Sequence, residues 1–249
     1  MGSSTAIRIG PLLAIMLVAL TGLTAVVAGA GHLGTARASV TASVRAVAQL
    51  TVVSLVIVAV LRSGWLTTGF VTLMYVVAAL TSGRRITRHR GGPLAALPLA
   101  VGVAPVLGAL LASGLVPASP IAIVPIAGIL IGGAMTATGL AGRRSLDDLR
   151  SRFGEYEAAL ALGFTSSQAR RDIARPAAAQ ALFPALDQTR TVGLVTLPGA
   201  FVGVLLGGGG PLQAGAAQVL VLIGLLAAET VSVLATVELV AHGWLRRAT

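Results

Sequence analysis

Seven long apolar stretches, separated by shorter polar connections, dominate the pattern of the chain. A helix needs roughly 20 mostly apolar residues to cross the hydrocarbon core of a bilayer, and each stretch is close to that length. The pattern therefore predicts an all-α integral membrane protein in which residues 1–249 form one transmembrane domain, a bundle of about seven helices. The predicted spans are residues 9–30, 44–61, 65–82, 93–114, 120–141, 191–207 and 214–241.

The composition excludes a water-soluble protein. Of the 249 residues, 55% are hydrophobic and only 10% are charged, whereas a soluble domain contains roughly 25% charged residues. The absence of Cys excludes disulfides and thiolate metal ligands. The net charge is +10, but the basic residues lie between apolar runs. We therefore expect a lipid bilayer, and not nucleic acid, as the partner of these residues.

The basic residues, all of them arginine, concentrate in alternate connections. Because positively charged loops stay on the cytoplasmic side, this distribution predicts an N-terminus outside and a C-terminus inside, in a cell inner (plasma) membrane. The connections on the opposite side carry only Arg62. The arginine-rich segments are Arg37 with Arg45, residues 84–90, residues 143–190, and Arg246 with Arg247.

The first span has an alternative interpretation as a cleaved signal peptide. Arg8 precedes it, and residues 28–30 have the small-x-small form of a cleavage site. Cleavage there would leave the following residues outside and would place residues 84–90 on the wrong face of the membrane. We therefore expect the first span to be retained.

Residues 142–190 form the one long polar segment, with eight arginines and six acidic residues. Residues 155–163 consist of good helix formers and end at Gly163. Thr165, followed three residues later by Gln168, has the pattern of a capping box that opens a second helix. The segment is therefore predicted to be a helical cytoplasmic insert, with a glycine turn between its helices, that leads into the sixth span.

This insert resembles the cytoplasmic EAA loop of ABC transporter permeases. The resemblance starts from Glu157-Ala158-Ala159 and Gly163, and continues at residues 173–176. Further blocks resemble FetB-type permeases, the iron-export ABC family that includes plant aluminium-tolerance proteins. These blocks are residues 43–50 (SVRAVAQL), 123–128 (IVPIAG) with 133–135 (GAM), 160–165 (LALGFT) and 191–199 (TVGLVTLPG).

The resemblance implies the permease subunit of an ABC transporter that exports iron or another small solute. In that family a short coupling helix in the insert docks into a groove of a separate ATPase chain. By this likeness Glu157, Ala158, Ala159 and Gly163 are assigned to ATPase coupling. The likeness also implies a homodimer, because one chain supplies only seven helices, together with ATP-binding cassette subunits.

Two departures from the family pattern concern the substrate. Ala200, Phe201 and Val204 occupy a stretch where the family has methionines and a polar residue, and Gly133 replaces an asparagine. These changes remove groups that could contact a metal, so the resemblance implies transport more strongly than it implies iron.

The sequence predicts no nucleotide, catalytic or metal site in this chain. A P-loop needs a lysine at the phosphates, and the chain has none, so the glycines at 207–210 do not form a nucleotide cradle. ATP would be bound by the partner subunit, and we expect no cofactor here. His32, His89 and His242 lie on separate connections and are interpreted as structural or surface residues.

Candidates for the transport path lie in the last two spans. Pro198 removes a helical hydrogen bond in the sixth span and Gly199 weakens the helix further, which predicts a break whose carbonyl groups line a cavity. Glu229 is an ionisable group deep in the seventh span, and Gln218 is a lesser candidate. Glu238 lies closer to the cytoplasmic end and is interpreted as an interfacial residue.

Two other functions are open at this point. An ion-coupled secondary carrier would use Glu229, and it predicts an internal repeat or two broken helices in corresponding halves. The sequence contains one convincing break, at Pro198. A membrane scaffold would instead bind an acidic partner or anionic lipid through the basic insert.

Overall fold

The structure is a computed structural model that describes residues 9–87 and 91–247, so Arg8, Arg88, His89 and Arg90 lie outside the described residues. Its regular elements are helices, which confirms the predicted all-α class. In chain order they are α1 (Pro11–Ala30), α2 (Ala36–Arg62), α3 (Gly64–Ile86), α4 (Ala96–Ala112, preceded by a 3-10 turn at Gly92–Ala95), α5 (Pro120–Ser151), α6 (Phe153–Ala161), α7 (Ser166–Ala179), α8 (Phe183–Thr191, preceded by a 3-10 turn at Gln180–Leu182), α9 (Gly199–Leu206) and α10 (Pro211–Ala241).

Within the described chain, six helices are long and apolar enough to cross a membrane: α1, α2, α3, α4 with its preceding turn, α5 and α10. They match six of the seven predicted spans. The span predicted over residues 191–207 is not one continuous helix, because α8 ends at Thr191 and α9 begins only at Gly199. Gly193 adopts a left-handed φ of +83°, and Pro198 has no N–H to continue a helix, so the break has a local cause.

The chain divides into two compact units, residues 1–60 and 61–249. In the first unit, α1 and most of α2 are joined by a short turn in which Gly34 has a φ of +69°. Most side chains of these two helices are exposed, while Ala28 and Val60 are buried.

In the second unit, α5 and α10 run parallel to each other. Leu130 of α5 lies beside Gly224 of α10, and Gly133, further along α5, lies beside Glu229, further along α10. The same two helices continue to pack towards their C-terminal ends in a shared apolar cluster.

α3 also runs parallel to α5. Met74 lies against Gly128, and two turns later the Ser82 hydroxyl donates a hydrogen bond of 3.0 Å to the carbonyl oxygen of Met135. The C-terminal ends of α3, α5 and α10 therefore lie at the same end of the second unit.

α4 runs antiparallel to α10 and approaches it closely. The Ser232 hydroxyl donates a hydrogen bond of 3.0 Å to the carbonyl oxygen of Pro98, whereas Val106, later in α4, lies near Gly224, earlier in α10. Between these points Gly102 faces the backbone of α10, where a Cβ atom would lie 2.5 Å from the carbonyl oxygen of Ala228. Small residues permit this close approach of two helices in lipid.

Arginines of the second unit gather at the end formed by the C-termini of α3, α5 and α10, whereas Arg62 lies just before the N-terminus of α3. The Thr87 hydroxyl donates a hydrogen bond of 2.8 Å to the carbonyl oxygen of Arg246, and Arg247 forms an ion pair with Asp147. We call this the arginine-rich end. Its single location supports the prediction that these segments share one side of the membrane.

The chain between α5 and α10 crosses back along the length of the second unit, and the broken segment is part of this crossing. α5 and α10 run in the same direction, so the chain between them must travel back along the length of the unit. α7 packs at the arginine-rich end, where the Ser145 hydroxyl of α5 contacts the carbonyl oxygen of Ala174. The return is therefore made between α7 and α10, by α8, the non-helical residues 192–198 and α9.

Candidate coupling surface and transport path

Residues 153–179 of the insert fold as the sequence predicts, as helix, glycine turn and helix, while α5 continues into the insert as far as Ser151 and α8 adds a third helix. α6 ends at Ala161, and Gly163 adopts a φ of +92°, which an L side chain rarely tolerates. The Gln168 N–H donates to the Thr165 hydroxyl at 3.3 Å, while the Thr165 N–H donates to the Gln168 side chain at 2.9 Å. This capping box fixes the start of α7 immediately after the turn.

The end of α6 and the turn after it project into solvent. We call residues 157–164 the coupling tip. Glu157, Ala158 and Gly163 are exposed, and Ala159 is half-buried. Leu162 is 80% exposed, an unusual position for a leucine outside the membrane spans. Leu160 and Phe164, on either side of it in the chain, are also exposed, and several exposed apolar side chains in one segment are typical of a protein-binding surface.

A salt bridge joins α7 to α10. Arg171 donates two hydrogen bonds to the Glu238 carboxylate, at 2.9 Å and 2.6 Å. The hydrogen bond to Glu238 raises the pKa of Arg171, so this guanidinium stays charged. The sequence interpretation of Glu238 as an interfacial residue missed this partner, because the two residues are 67 positions apart and no local spacing relates them.

A second contact joins α6, α7 and the C-terminal end of α10. The Arg170 guanidinium lies 5.7 Å from the centre of the Tyr156 ring, and the Tyr156 hydroxyl is 2.9 Å from the Ser166 hydroxyl. Gly243 makes room for Arg170, since a Cβ atom there would lie 2.5 Å from an Arg170 nitrogen. The coupling tip is therefore tied to α7, and α7 is tied to α10.

A local ion pair supports the N-terminal end of α6. Arg152 donates two hydrogen bonds to the Glu155 carboxylate, at 2.9 Å and 2.6 Å. The hydrogen bond from Arg152 lowers the pKa of Glu155, so the pair is charged at neutral pH. A negative charge in the first turn is also favourable for the helix.

The break in the sixth crossing leaves backbone groups open. The Gly193 N–H donates to the carbonyl oxygen of Thr196 at 2.9 Å, and the Val195 N–H donates to that of Thr191 at 2.9 Å. Within the described chain, the carbonyl oxygens of residues 192–195 accept no hydrogen bond. Non-helical backbone at membrane depth must be covered by protein or line a water-filled cavity. This segment is therefore suited to the wall of a path.

Gln218 holds the start of α9 against α10. Its side-chain oxygen accepts a hydrogen bond of 3.2 Å from the Phe201 N–H, one of the N-terminal donors of α9 that has no partner within the helix. Gln218 is 4% exposed. The structure thus places Pro198, Gly199 and Gln218 at one junction and gives Gln218 a clear structural contact.

Glu229 lies elsewhere along α10, between that helix and α5. It is 11 residues beyond Gln218, which is about 16 Å along a helix. Its carboxylate faces Gly133, where a Cβ atom would lie 2.5 Å from Oε1. It is 7% exposed and forms no hydrogen bond or ion pair with any residue in 9–87 or 91–247. Glu229 and the Pro198 junction are therefore separate features of the candidate path.

The described residues contain no group of three His, Asp, Glu or Cys side chains that could hold a metal ion. His242 instead makes a 2.8 Å hydrogen bond to the carbonyl oxygen of Glu238, at the end of α10.

Comparison with known proteins places these features in a family. The uncharacterised protein family UPF0014 matches residues 11–244. The chain is 37% identical to the UPF0014 membrane protein STAR2 of Oryza sativa subsp. japonica, over 77% of this chain and 68% of that protein. It is 37% identical to the protein ALUMINUM SENSITIVE 3 of Arabidopsis thaliana, over 76% and 70% of the two chains.

A bacterial relative has a name that states a function. The chain is 34% identical to the probable iron export permease protein FetB of Escherichia coli (strain K12), over 55% of this chain and 52% of that protein. No solved structure matches the chain.

Proposed function

The chain belongs to the uncharacterised protein family UPF0014, and we propose that it is the membrane permease subunit of an ATP-binding cassette transporter. The name of the E. coli relative, an iron export permease, supports transport. The single observation that carries ATPase coupling is the exposed coupling tip, which stands at the arginine-rich end and is fixed by a left-handed glycine and a capping box.

The coupling tip transmits force because its connections to the membrane helices are short. Tyr156 of α6, directly before the tip, packs on Arg170 of α7, and Arg171 of α7 binds Glu238 of α10. A movement imposed on the tip by an ATPase would therefore shift the C-terminal half of α10. The same helix carries Glu229 in its middle and Gln218 nearer its start.

The path for the solute runs along α10 beside the broken sixth crossing. Pro198 and Gly199 create the break, and its open carbonyl groups, with Gln218 and Glu229 of α10, supply polar atoms along the path. A homodimer, with one such crossing from each copy, would enclose the path. The substrate is iron, in keeping with the name of the E. coli relative, or another small solute.

The secondary carrier is a weaker alternative. Its specific support is the isolated Glu229, but it predicts two interrupted membrane helices in corresponding halves. Within the described chain, α4 and α5 each continue through an internal proline, and the interruption at residues 192–198 has no counterpart in them.

The test of the proposed function is co-purification with an ATP-binding cassette ATPase encoded beside this gene. We expect the wild-type chain to form a complex and to stimulate ATP hydrolysis. Glu157→Arg, which reverses the charge on the exposed coupling tip, is expected to weaken the complex. A chain that binds no ATPase and still moves solute when reconstituted alone would support the carrier instead.

Reversing the Arg171–Glu238 salt bridge tests the link to α10. We expect Arg171→Glu to reduce transport per ATP hydrolysed several-fold while leaving the ATPase bound, because two carboxylates would then face each other. The double variant Arg171→Glu with Glu238→Arg is expected to restore coupling. The matched control is Arg190→Glu, because Arg190 forms an exposed ion pair with Asp187 at 3.6 Å. An exposed ion pair contributes only about 0–1 kcal/mol to stability. Equal losses in Arg190→Glu and Arg171→Glu would contradict the link.

A further inference from the structure

Glu229 is a buried acid without a counter-charge. Of the eight acidic residues in the sequence, six lie in the insert at 142–190, and Glu238 binds Arg171. Glu229 is 7% exposed and has no hydrogen-bonding or ionic partner among the described residues. An ionised carboxylate in that position would lose its hydration without compensation. Something other than a described side chain must therefore neutralise it.

The elements packed against α10 supply no charged group at this level. α4 and α9 contain no titratable residue. The first in α5 is Arg143, whose guanidinium donates to the carbonyl oxygen of Gly139, six residues past Gly133 and thus about 9 Å along the helix. In α3, the Tyr75 hydroxyl donates to the carbonyl oxygen of Ala96, and Arg84 and Arg85 lie in the last turn of the helix, where Arg85 packs against Gly139. The titratable residues of α7 and α8 are Arg170, Arg171, Asp172, Arg175, Asp187 and Arg190, and α10 itself adds Glu238.

Four of these charged groups pair with one another. Arg171 binds Glu238, and Asp187 pairs with Arg190. α7 packs at the C-terminal end of α10, and Glu238 lies nine residues beyond Glu229, which is about 13 Å. No hydrogen bond or ion pair therefore joins the carboxyl group of Glu229 to any described charge.

The surroundings of Glu229 suit a proton better than a metal ion. Metal cations such as Mg²⁺ and Ca²⁺ need several oxygen ligands. The nearby hydroxyls of α10 already donate hydrogen bonds to backbone carbonyl oxygens. Ser232 donates to the carbonyl of Pro98, Thr236 to that of Ser232, and Thr230 to that of Leu226. A proton needs only the carboxylate itself.

We propose that Glu229 binds a proton in this conformation and releases it to water when α10 moves away from α5, so that each transport cycle moves a proton. The step forms one O–H bond on the carboxylate and breaks it again, with water as donor and acceptor. In this conformation only 7% of Glu229 is exposed, so exchange of the proton with water requires α10 to move away from α5. Proton release on movement rests on the proposed function, whereas proton binding at rest does not.

Infrared spectroscopy of the full chain in lipid nanodiscs tests proton binding. We expect a carboxylic acid C=O stretching band at neutral pH that is lost in Glu229→Gln and kept in Glu238→Gln. Glu229→Asp, which keeps a carboxyl group, is expected to retain a band at a shifted frequency. Identical spectra for the wild type and Glu229→Gln would overturn the proposal.

The neighbouring glycines provide a matched pair for the same measurement. A Cβ atom at Gly133 would press on the carboxyl, whereas one at Gly132 has nothing within 4 Å. We therefore expect Gly133→Ala to shift the band and Gly132→Ala to leave it unchanged. A band that neither substitution changes would mean that the protonated carboxyl lies elsewhere, and would overturn the assignment.

Trapping the assembled complex with ATP and vanadate tests release. We expect the band to lose intensity on trapping in the wild type, because α10 has moved. A band unchanged on trapping would overturn proton release. Failure of the ATPase to bind would instead overturn the proposed function, and the spectrum at rest would still decide whether Glu229 is protonated.

Discussion

Replacing Gly163 by proline is expected to abolish ATP-driven transport while the membrane helices stay folded. Gly163 has a φ of +92°, and proline fixes φ near −65°, so the turn between α6 and α7 cannot form as it does in the wild type. Nothing lies within 4 Å of a Cβ atom at this position, so the effect comes from the backbone and not from a steric clash. The measurement is solute transport and ATP hydrolysis by the reconstituted complex.

A graded series separates turn geometry from general damage to the insert. Gly163→Ala can reach a positive φ at a cost of about 1–3 kcal/mol and is expected to weaken coupling without abolishing it. Gly154→Ala, inside α6 with open space around it, is expected to have no effect. Full coupling in Gly163→Pro would show that the coupling tip is not the contact with the ATPase.

The second large effect is on stability, at the closest approach of α4 to α10. Gly102→Ala would place a methyl group against the Ser232 hydroxyl and 2.5 Å from the carbonyl oxygen of Ala228. The helices must separate to admit it, which we expect to lower the free energy of unfolding by about 1–3 kcal/mol. Thermal unfolding in detergent measures the change.

Gly108→Ala is the control on the same helix. Nothing lies within 4 Å of a Cβ atom at that position, and alanine favours a helix over glycine by roughly 1 kcal/mol. We therefore expect Gly108→Ala to be neutral or stabilising. Equal destabilisation by both substitutions would contradict the close packing of α4 on α10.

Local features of this protein were predictable from the sequence. Thr165 and Gln168 form the predicted capping box, and Gly163 ends the first helix of the insert, because each depends on residues within one turn. Six membrane helices follow from hydrophobic length alone. Pro198 correctly indicated an interruption in the sixth crossing.

Features that depend on packing between distant segments were not predictable. Arg171 and Glu238 are opposite charges with no fixed spacing, and only the placement of α7 against α10 brings them together. The Gly133–Glu229 contact likewise requires α5 and α10 to be parallel neighbours. The sixth crossing proved to be broken over residues 192–198, because Gly193 in a left-handed conformation adds to the effect of Pro198.

These long-range contacts connect the two halves of the candidate site. The coupling tip is a local structure, but its link to the path runs through the salt bridge to α10 and along that helix to Glu229. Under the proposed function, movement of the tip would change the packing between α5 and α10, where the buried carboxyl lies.

Cysteine cross-linking at Leu162 tests the central claim most directly, because the chain has no cysteine of its own. Leu162→Cys, at the coupling tip, is expected to cross-link to the ATPase in membranes. Leu115→Cys, 68% exposed in the loop after α4 at the opposite end of the second unit, is expected not to. Cross-linking from position 115, or from neither position, would contradict a permease driven through residues 157–164.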